Sequence, residues 1–147
     1  MSEIMTGGCQ CGRIRCTVEI DGFDAYLCHC RMCQRATGNV SIAFKNVEKV
    51  KLDWSRETEY LASSPIARRR FCRECGTPLG FDYPDHSKCD LTVGSFDDSS
   101  RFVPVAHFAV ESLHEAWIDT SALRRDRADD YDKLIQRWRE VGLDVPK

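Results

Sequence analysis

The sequence has no long hydrophobic run and no strong excess of charge of either sign. No apolar stretch approaches the about 20 residues that a helix needs to cross a bilayer, so we expect no insertion into a membrane. With 21 basic and 23 acidic residues the formal net charge is −2, which gives no reason to expect binding to nucleic acid or to an anionic membrane surface. The first eight residues have neither the basic region nor the apolar core of a secretory signal. These absences favour a cytoplasmic location.

The sequence also lacks an internal repeat, a low-complexity tract and a linker between domains. Its 147 residues are the length of one domain. A domain of this size buries roughly 70% of the surface that its unfolded chain exposes. We therefore predict a single domain over residues 1–147 that does not need crosslinks merely to fold.

Short apolar segments, rather than long amphipathic ones, make up most of the chain. Residues 14–20 alternate between apolar and polar side chains, which is the period of a half-buried strand. Only one helix is clear, at about residues 129–141, where an apolar stripe recurs at helical spacing and Gly142 follows. The sequence predicts a mainly β fold with about eight short strands and one C-terminal helix.

Cysteine is abundant, with nine in the chain. Seven of them form three clusters, namely a first pair (Cys9 and Cys11), a central trio (Cys28, Cys30 and Cys33) and a last pair (Cys72 and Cys75). In a compartment where thiols stay reduced, C-x-C and C-x-x-C spacings indicate metal ligands before disulfides. We therefore expect zinc, which prefers thiolate ligands in closed tetrahedral sites.

Seven clustered thiols are one short of two closed tetrahedral sites. If the first and last pairs join, they form a four-thiolate structural site, and the central trio keeps the open position that is typical of catalytic zinc. An incoming thiol could fill that position and lose its proton there. Spacing alone leaves two alternatives: the first pair shares a metal with two central thiols, or both sites are purely structural.

Several residues near the clusters have competing interpretations. We expect His29, between two candidate ligands, to point away from the metal, because adjacent side chains on a turn cannot all face one ion. Cys16 and Cys89 lie outside the clusters, and buried packing is the expectation for both thiols. The run Arg68–Arg70 is either an anion site for the carboxylates of a ligand or a solvated face, and the solvated face is the interpretation that we favour.

The cysteine motifs, in this order, resemble those of the glutathione-dependent formaldehyde-activating enzyme family, which also includes centromere protein V. The resemblance covers about residues 7–120. It rests on residues 8–15, 28–38 and 71–79, followed by His107–Phe108, Glu111–Ser112 and Trp117.

The resemblance implies a zinc-tied, Mss4-like β-sheet fold with two zinc ions per chain. It assigns Cys9, Cys11, Cys72 and Cys75 to a structural zinc site, and Cys28, Cys30 and Cys33 to a second, catalytic zinc linked to glutathione. The reaction that gives the family its name joins glutathione and formaldehyde into S-(hydroxymethyl)glutathione. We therefore expect a zinc-dependent carbon–sulfur lyase acting on glutathione or a similar thiol. The alternative is a non-catalytic, zinc-stabilised binding module for a thiol adduct or a protein partner.

Overall fold

The computed structural model describes residues 1–146, and within them the chain forms ten strands and two α-helices. The strands are β1 (Glu3–Gly8), β2 (Arg15–Ile20), β3 (Asp24–Cys28), β4 (Ile42–Glu48), β5 (Leu52–Trp54), β6 (Glu59–Ala62), β7 (Arg68–Phe71), β8 (Pro78–Asp82), β9 (Lys88–Thr92) and β10 (Val103–Phe108). The helices are α1 (Arg31–Thr37) and α2 (Asp132–Glu140). The predicted mainly β fold with a C-terminal helix is confirmed.

The chain divides into two compact units, Met1–His114 and the part that begins at Glu115. All ten strands, α1 and all nine cysteines belong to the first unit, whereas α2 belongs to the second. The expectation of one domain over residues 1–147 stays a prediction. Among residues 1–146, neither helix is long and apolar enough to cross a membrane.

The strands of the first unit form two sheets. The smaller sheet has the order β1-β2-β5 and the larger has the order β10-β3-β4-β9-β8-β7-β6. All pairs are antiparallel except β10 with β3, which run parallel. This parallel pair places the last strand of the unit beside Cys28, because Phe108 is the register partner of Cys28.

The alternation that predicts a strand at residues 14–20 matches the burial of β2. Cys16, Val18 and Ile20 are buried, and the residues between them are exposed or half-buried. These side chains point to one face because successive residues of a strand alternate between its two faces. Val18 and Ile20 join Met5 of β1 and Leu91 of β9 in the largest hydrophobic cluster. Full burial of such aliphatic side chains contributes about 1.5–3 kcal/mol each.

The sequence pattern does not indicate strands β1 and β3. Strand β1 contains Gly7 and Gly8, and glycine has a low strand propensity. It is a strand because it pairs with all of β2, from Glu3 opposite Ile20 to Gly8 opposite Arg15. Strand β3 lies between β4 and β10. In both cases pairing with other strands, β2 for β1 and β4 and β10 for β3, decides the conformation.

Candidate metal centres

The first and last cysteine pairs meet in one cluster, which we call the four-cysteine cluster. The Sγ atoms of Cys9, Cys11, Cys72 and Cys75 all lie within 4.8 Å of one another. The Sγ of Cys11 is 3.5 Å from that of Cys9 and 3.8 Å from that of Cys72. Four sulfurs at about 2.3 Å from a tetrahedral zinc would be about 3.8 Å apart, so these residues fit a zinc ion.

Two similar backbone turns build this cluster from its two pairs. The amide of Gly12 donates to the carbonyl of Cys9 at 3.0 Å, and the amide of Gly76 donates to the carbonyl of Cys72 at 2.8 Å. The two glycines have φ angles of 77° and 74°, in the left-handed region that glycine adopts without steric cost. Each turn therefore reverses just after its second cysteine and directs both sulfurs to the same side.

Hydrogen-bond donors near the sulfurs favour their ionised form. The amide of Ile14 donates to the Sγ of Cys9 at 3.2 Å, and the Oγ1 of Thr77 lies 3.1 Å from the Sγ of Cys75. Hydrogen bonding to Thr77 lowers the pKa of Cys75 to about 6. Because zinc binds the thiolate and not the thiol, these contacts prepare the cluster for a metal.

An ion pair ties the first turn to the larger sheet. The guanidinium of Arg13 makes two hydrogen bonds, of 2.9 and 2.7 Å, to the carboxylate of Glu59 on β6. Such paired hydrogen bonds fix orientation as well as distance. The contact with Arg13 lowers the pKa of Glu59 to about 2, so the pair stays charged at neutral pH.

The central trio forms a second cluster, the three-cysteine cluster. The Sγ atoms of Cys28, Cys30 and Cys33 lie within 4.8 Å of one another. Cys28 ends β3, and Cys30 caps α1 because its Sγ accepts the amide of Cys33 at 3.3 Å. The passage from strand to helix thus brings three sulfurs together. Within residues 1–146, no further His, Cys, Asp or Glu joins this group.

Arg69 connects β7 to the three-cysteine cluster. Its Nη2 donates to the Sγ of Cys33 at 3.4 Å, and its guanidinium lies over the ring of Phe81 at 5.0 Å from the centroid. The hydrogen bond with Cys28 is the largest cause that lowers the pKa of Cys33 below its usual range. The hydrogen bond from Arg69 lowers this pKa further, whereas burial opposes the change.

The expectation that Arg68–Arg70 form a solvated face is wrong, since all three side chains are half-buried. Arg68 donates to the buried carboxylate of Asp82, its register partner on β8. Arg70 donates to the Oγ1 of Thr58 at 2.7 Å. A charged run in sequence does not show whether the neighbouring strand carries an acid.

His29 is turned to another histidine and does not join the thiols. Its Nε2 lies 2.9 Å from the Nδ1 of His107 on β10, and its side chain is 2% exposed. Burial, and then the charge of His107, lower the pKa of His29. The backbone amide of His29 donates to the carbonyl of Phe108 at 2.9 Å. This hydrogen bond connects the segment between Cys28 and Cys30 to β10.

Sequence reasoning missed Gln34. This residue is buried, and its Nε2 lies 2.9 Å from the carbonyl oxygen of His29, 3.1 Å from that of Val40 and 3.0 Å from that of Ser112. Gln34 therefore connects three segments: the residues between Cys28 and Cys30, the segment after α1 and the segment after β10. A glutamine in a short polar helix has no pattern that reveals this role, because its three acceptors come from distant segments.

A cavity of about 370 Å³ also escaped sequence reasoning. Helix α1 and strands β4, β6, β7 and β8 all contribute to its wall, which includes Arg69. Its volume falls in the range of about 300–1,000 Å³ that is typical of sites for small molecules. No motif marks it because its lining comes from many separate segments.

Comparison with known proteins places this geometry in a family. Residues 4–112 match the family described as glutathione-dependent formaldehyde-activating enzyme. A protein of Schizosaccharomyces pombe, named as an uncharacterised lyase, is 32% identical over 77 residues, which are 52% of this chain and 56% of that protein. The chain thus matches only about half the length of this relative.

A crystal structure of a Rhodobacter sphaeroides protein shares the fold, with a TM-score of 0.56 and 22% identity over 71% of this chain and 100% of that chain. At this identity the likeness concerns the fold alone. The family match takes in most of the sequence and contains both cysteine clusters. The chain therefore belongs to the glutathione-dependent formaldehyde-activating enzyme family.

Proposed function

We propose that the protein is a zinc-dependent carbon–sulfur lyase that makes and breaks the bond between a thiol, glutathione or a similar one, and an aldehyde. The observation that carries the proposal is the three-cysteine cluster. It brings together three thiols and, among residues 1–146, no fourth His, Cys, Asp or Glu, which is the ligand count of a catalytic zinc site. Membership of the family and the name of the S. pombe relative support the same class of reaction.

The two clusters have different roles in this proposal. The four-cysteine cluster would hold a structural zinc, because it supplies all four ligands of a closed site. Cys28, Cys30 and Cys33 would hold the second zinc. A zinc bound there supplies a Lewis acid that lowers the pKa of a thiol arriving beside the cluster.

Arg69 is the residue that we assign to the aldehyde. It lines the cavity and its Nη2 also contacts the Sγ of Cys33, so this one residue touches both the cavity and the thiols. When the thiol adds to the carbonyl group, negative charge develops on the oxygen, and a fixed donor at that point stabilises the transition state. The contact of Arg69 with the ring of Phe81 restrains the position of the guanidinium.

The proposed reaction needs no redox partner. The sulfur of the thiol forms a bond to the carbonyl carbon, the C=O double bond becomes single, and the thiol proton ends on the oxygen. The reverse reaction releases thiol and aldehyde. All nine cysteines are free thiols in the structure, and we place the protein in the cytoplasm, where thiols stay reduced.

The test combines zinc content with turnover. Wild-type protein should contain two zinc ions per chain and accelerate the exchange between S-(hydroxymethyl)glutathione and its components, measured by NMR exchange spectroscopy. Cys30→Ser should keep its fold, lose one zinc and lose this acceleration. Arg69→Met should keep both zinc ions and lose about 100-fold in kcat/KM, the usual effect of removing one oxyanion donor.

The control is Cys16→Ala, which removes a thiol outside both clusters and should keep both zinc ions and full activity. Exchange that persists in Cys30→Ser would disprove the proposed mechanism. A wild-type protein that holds two zinc ions and binds glutathione without accelerating exchange would instead be the non-catalytic binding module.

A further inference from the structure

The cavity of about 370 Å³ has a largely apolar wall. Strand β4 contributes Ile42 and Phe44, β6 contributes Leu61, and β7 contributes Phe71. An apolar wall favours an apolar occupant, because binding removes hydrophobic surface from water on both sides.

The cavity adjoins the three-cysteine cluster. Phe44 forms a hydrophobic cluster with Cys28 and Cys33, and Ile42 packs against it. The same two β4 side chains line the cavity, so the cavity and the thiols share these neighbours. Arg69 lines the cavity as well and reaches the Sγ of Cys33 at 3.4 Å. A group held in the cavity therefore lies next to the proposed reaction centre.

The charges of the lining do not match the ammonium end of glutathione. No acidic residue lines the cavity, so the ammonium group of a γ-glutamyl moiety would lose water without gaining a counterion, which is unfavourable. Arg70, also in the lining, already contacts Thr58 and the carboxylate of Asp82. Arg69 is thus the lining cation that can donate a hydrogen bond to an oxygen atom of the bound molecule.

The cavity is also too large for formaldehyde alone. Each water molecule occupies about 30 Å³ in the liquid, so a space of about 370 Å³ is many times larger than an aldehyde without a side group requires. Formaldehyde would leave the apolar wall facing water, and its binding would gain nothing from that wall.

We propose that the cavity binds the side group of a larger apolar aldehyde, aliphatic or aromatic, with its carbonyl oxygen at Arg69. The substrates of the site are then thiol adducts of such aldehydes, in preference to S-(hydroxymethyl)glutathione. The bond changes are those of the proposed lyase reaction, on which this inference rests: a C–S bond forms and the thiol proton moves to the carbonyl oxygen.

The experiment compares two aldehydes on the zinc-loaded 147-residue chain. NMR exchange spectroscopy with glutathione gives kcat/KM for phenylacetaldehyde and for formaldehyde, each corrected for the uncatalysed rate. We expect phenylacetaldehyde to be favoured by at least about tenfold, since each additional methylene-sized contact in an apolar pocket contributes roughly 10- to 200-fold. A preference for formaldehyde would overturn the inference.

A matched pair of variants on α1 tests whether the preference for the larger aldehyde arises in the cavity. Ala36 lines the cavity, whereas Arg35, its exposed neighbour on the same helix, does not. Ala36→Leu should reduce the ratio of the two kcat/KM values by about tenfold, and Arg35→Leu should leave that ratio as in the wild type. An equal ratio in all three proteins would also overturn the inference.

A binding measurement separates this inference from the lyase proposal. The unreactive probe 2-phenylethanol should shift the amide resonances of Ala36, Ile42 and Arg69 in the wild type and should bind more weakly to Ala36→Leu. Absence of these shifts overturns the cavity assignment whether or not the protein is active. Shifts without turnover of either aldehyde would overturn the lyase function and the aldehyde assignment together, and would leave the cavity as a binding site for apolar groups.

Discussion

At the scale of single residues, Asp82 organises the charged side chains of β7 and β8. Its side chain is buried, with 1% of the residue exposed. It contacts Arg68 at 3.0 Å, Lys49 at 2.8 Å and Arg70 at 3.8 Å. Burial opposes ionisation of this carboxyl, but the hydrogen bonds from Arg68 and Lys49 prevail and lower its pKa. Because Arg69 lies between Arg68 and Arg70, this carboxylate also fixes the strand that presents Arg69 to Cys33.

Replacing Asp82 by asparagine should destabilise the protein by about 3 kcal/mol, since removing one partner of a buried charge cluster leaves the others uncompensated. The measurement is urea unfolding of the zinc-loaded protein at pH 7. A carboxyl whose pKa is lowered on folding stabilises the native state above its unfolded pKa of about 3.9 and loses that effect as the pH falls through the folded value. The difference between the variant and the wild type should therefore shrink below pH 4.

The control for this measurement is Asp85→Asn, because Asp85 is exposed in the loop after β8. Surface substitutions of this kind usually change the stability by less than about 0.5 kcal/mol. Equal stabilities of the two variants would contradict the role given to Asp82.

At the scale of elements, the two cysteine turns show how local sequence can determine a metal site. Each turn is closed by a hydrogen bond over three or four residues and followed by a glycine with positive φ. The information needed for this geometry is contained in Cys9–Gly12 and Cys72–Gly76, which is why the spacing of the cysteines alone indicates metal ligands.

Gly76→Ala tests this turn. An ideal Cβ at Gly76 meets no atom within 4 Å, but the φ angle of 74° is one that side chains with a Cβ rarely adopt. The cost is therefore backbone strain, and we expect a loss of about 1–2 kcal/mol in the free energy of unfolding of the zinc-loaded protein, measured in urea.

Gly94→Ala is the matched control, because a Cβ there also meets no atom within 4 Å and its φ angle lies outside the strained range. This variant should be as stable as the wild type, or slightly more stable. If both variants were equally stable, the left-handed conformation would not be the reason for glycine at position 76.

At the scale of the whole molecule, the four-cysteine cluster joins parts of the chain that are distant in sequence. Cys11 and Cys72 are 61 positions apart, and the cluster connects the turn after β1 to the turn between β7 and β8. Buried Ile14 and Leu79 pack with Cys9 and Cys72 in a small hydrophobic cluster of their own. With so few apolar neighbours, we expect this end of the first unit to need a bound metal for its stability.

Removal of zinc should therefore unfold much of the Met1–His114 unit, because a structural zinc contributes on the order of 10 kcal/mol to folding. Cys72→Ser should have the same effect, whereas Cys30→Ser should stay folded in zinc. Circular dichroism and amide NMR spectra before and after addition of a chelator measure this. A chelated protein with a dispersed, unchanged amide spectrum would show that the four-cysteine cluster is not a structural metal site.

The sequence by itself determined the features that depend on neighbouring residues. The alternation in β2, the helix near residues 129–141 and the cysteine spacings each follow from local conformation, and the structure contains a matching element in each case. The count of seven clustered thiols also predicted one group of four and one of three, although spacing left their pairing undecided.

Only the tertiary structure decided which distant residues become partners. It joined Cys9 and Cys11 to Cys72 and Cys75, paired β3 with β10, and buried Asp82 among cations that the sequence suggested were solvated. It also placed Arg69 beside Cys33 and enclosed a cavity with residues from six helices and strands. Strand register and packing bring these groups together across long stretches of chain, and short-range patterns contain no information about such contacts.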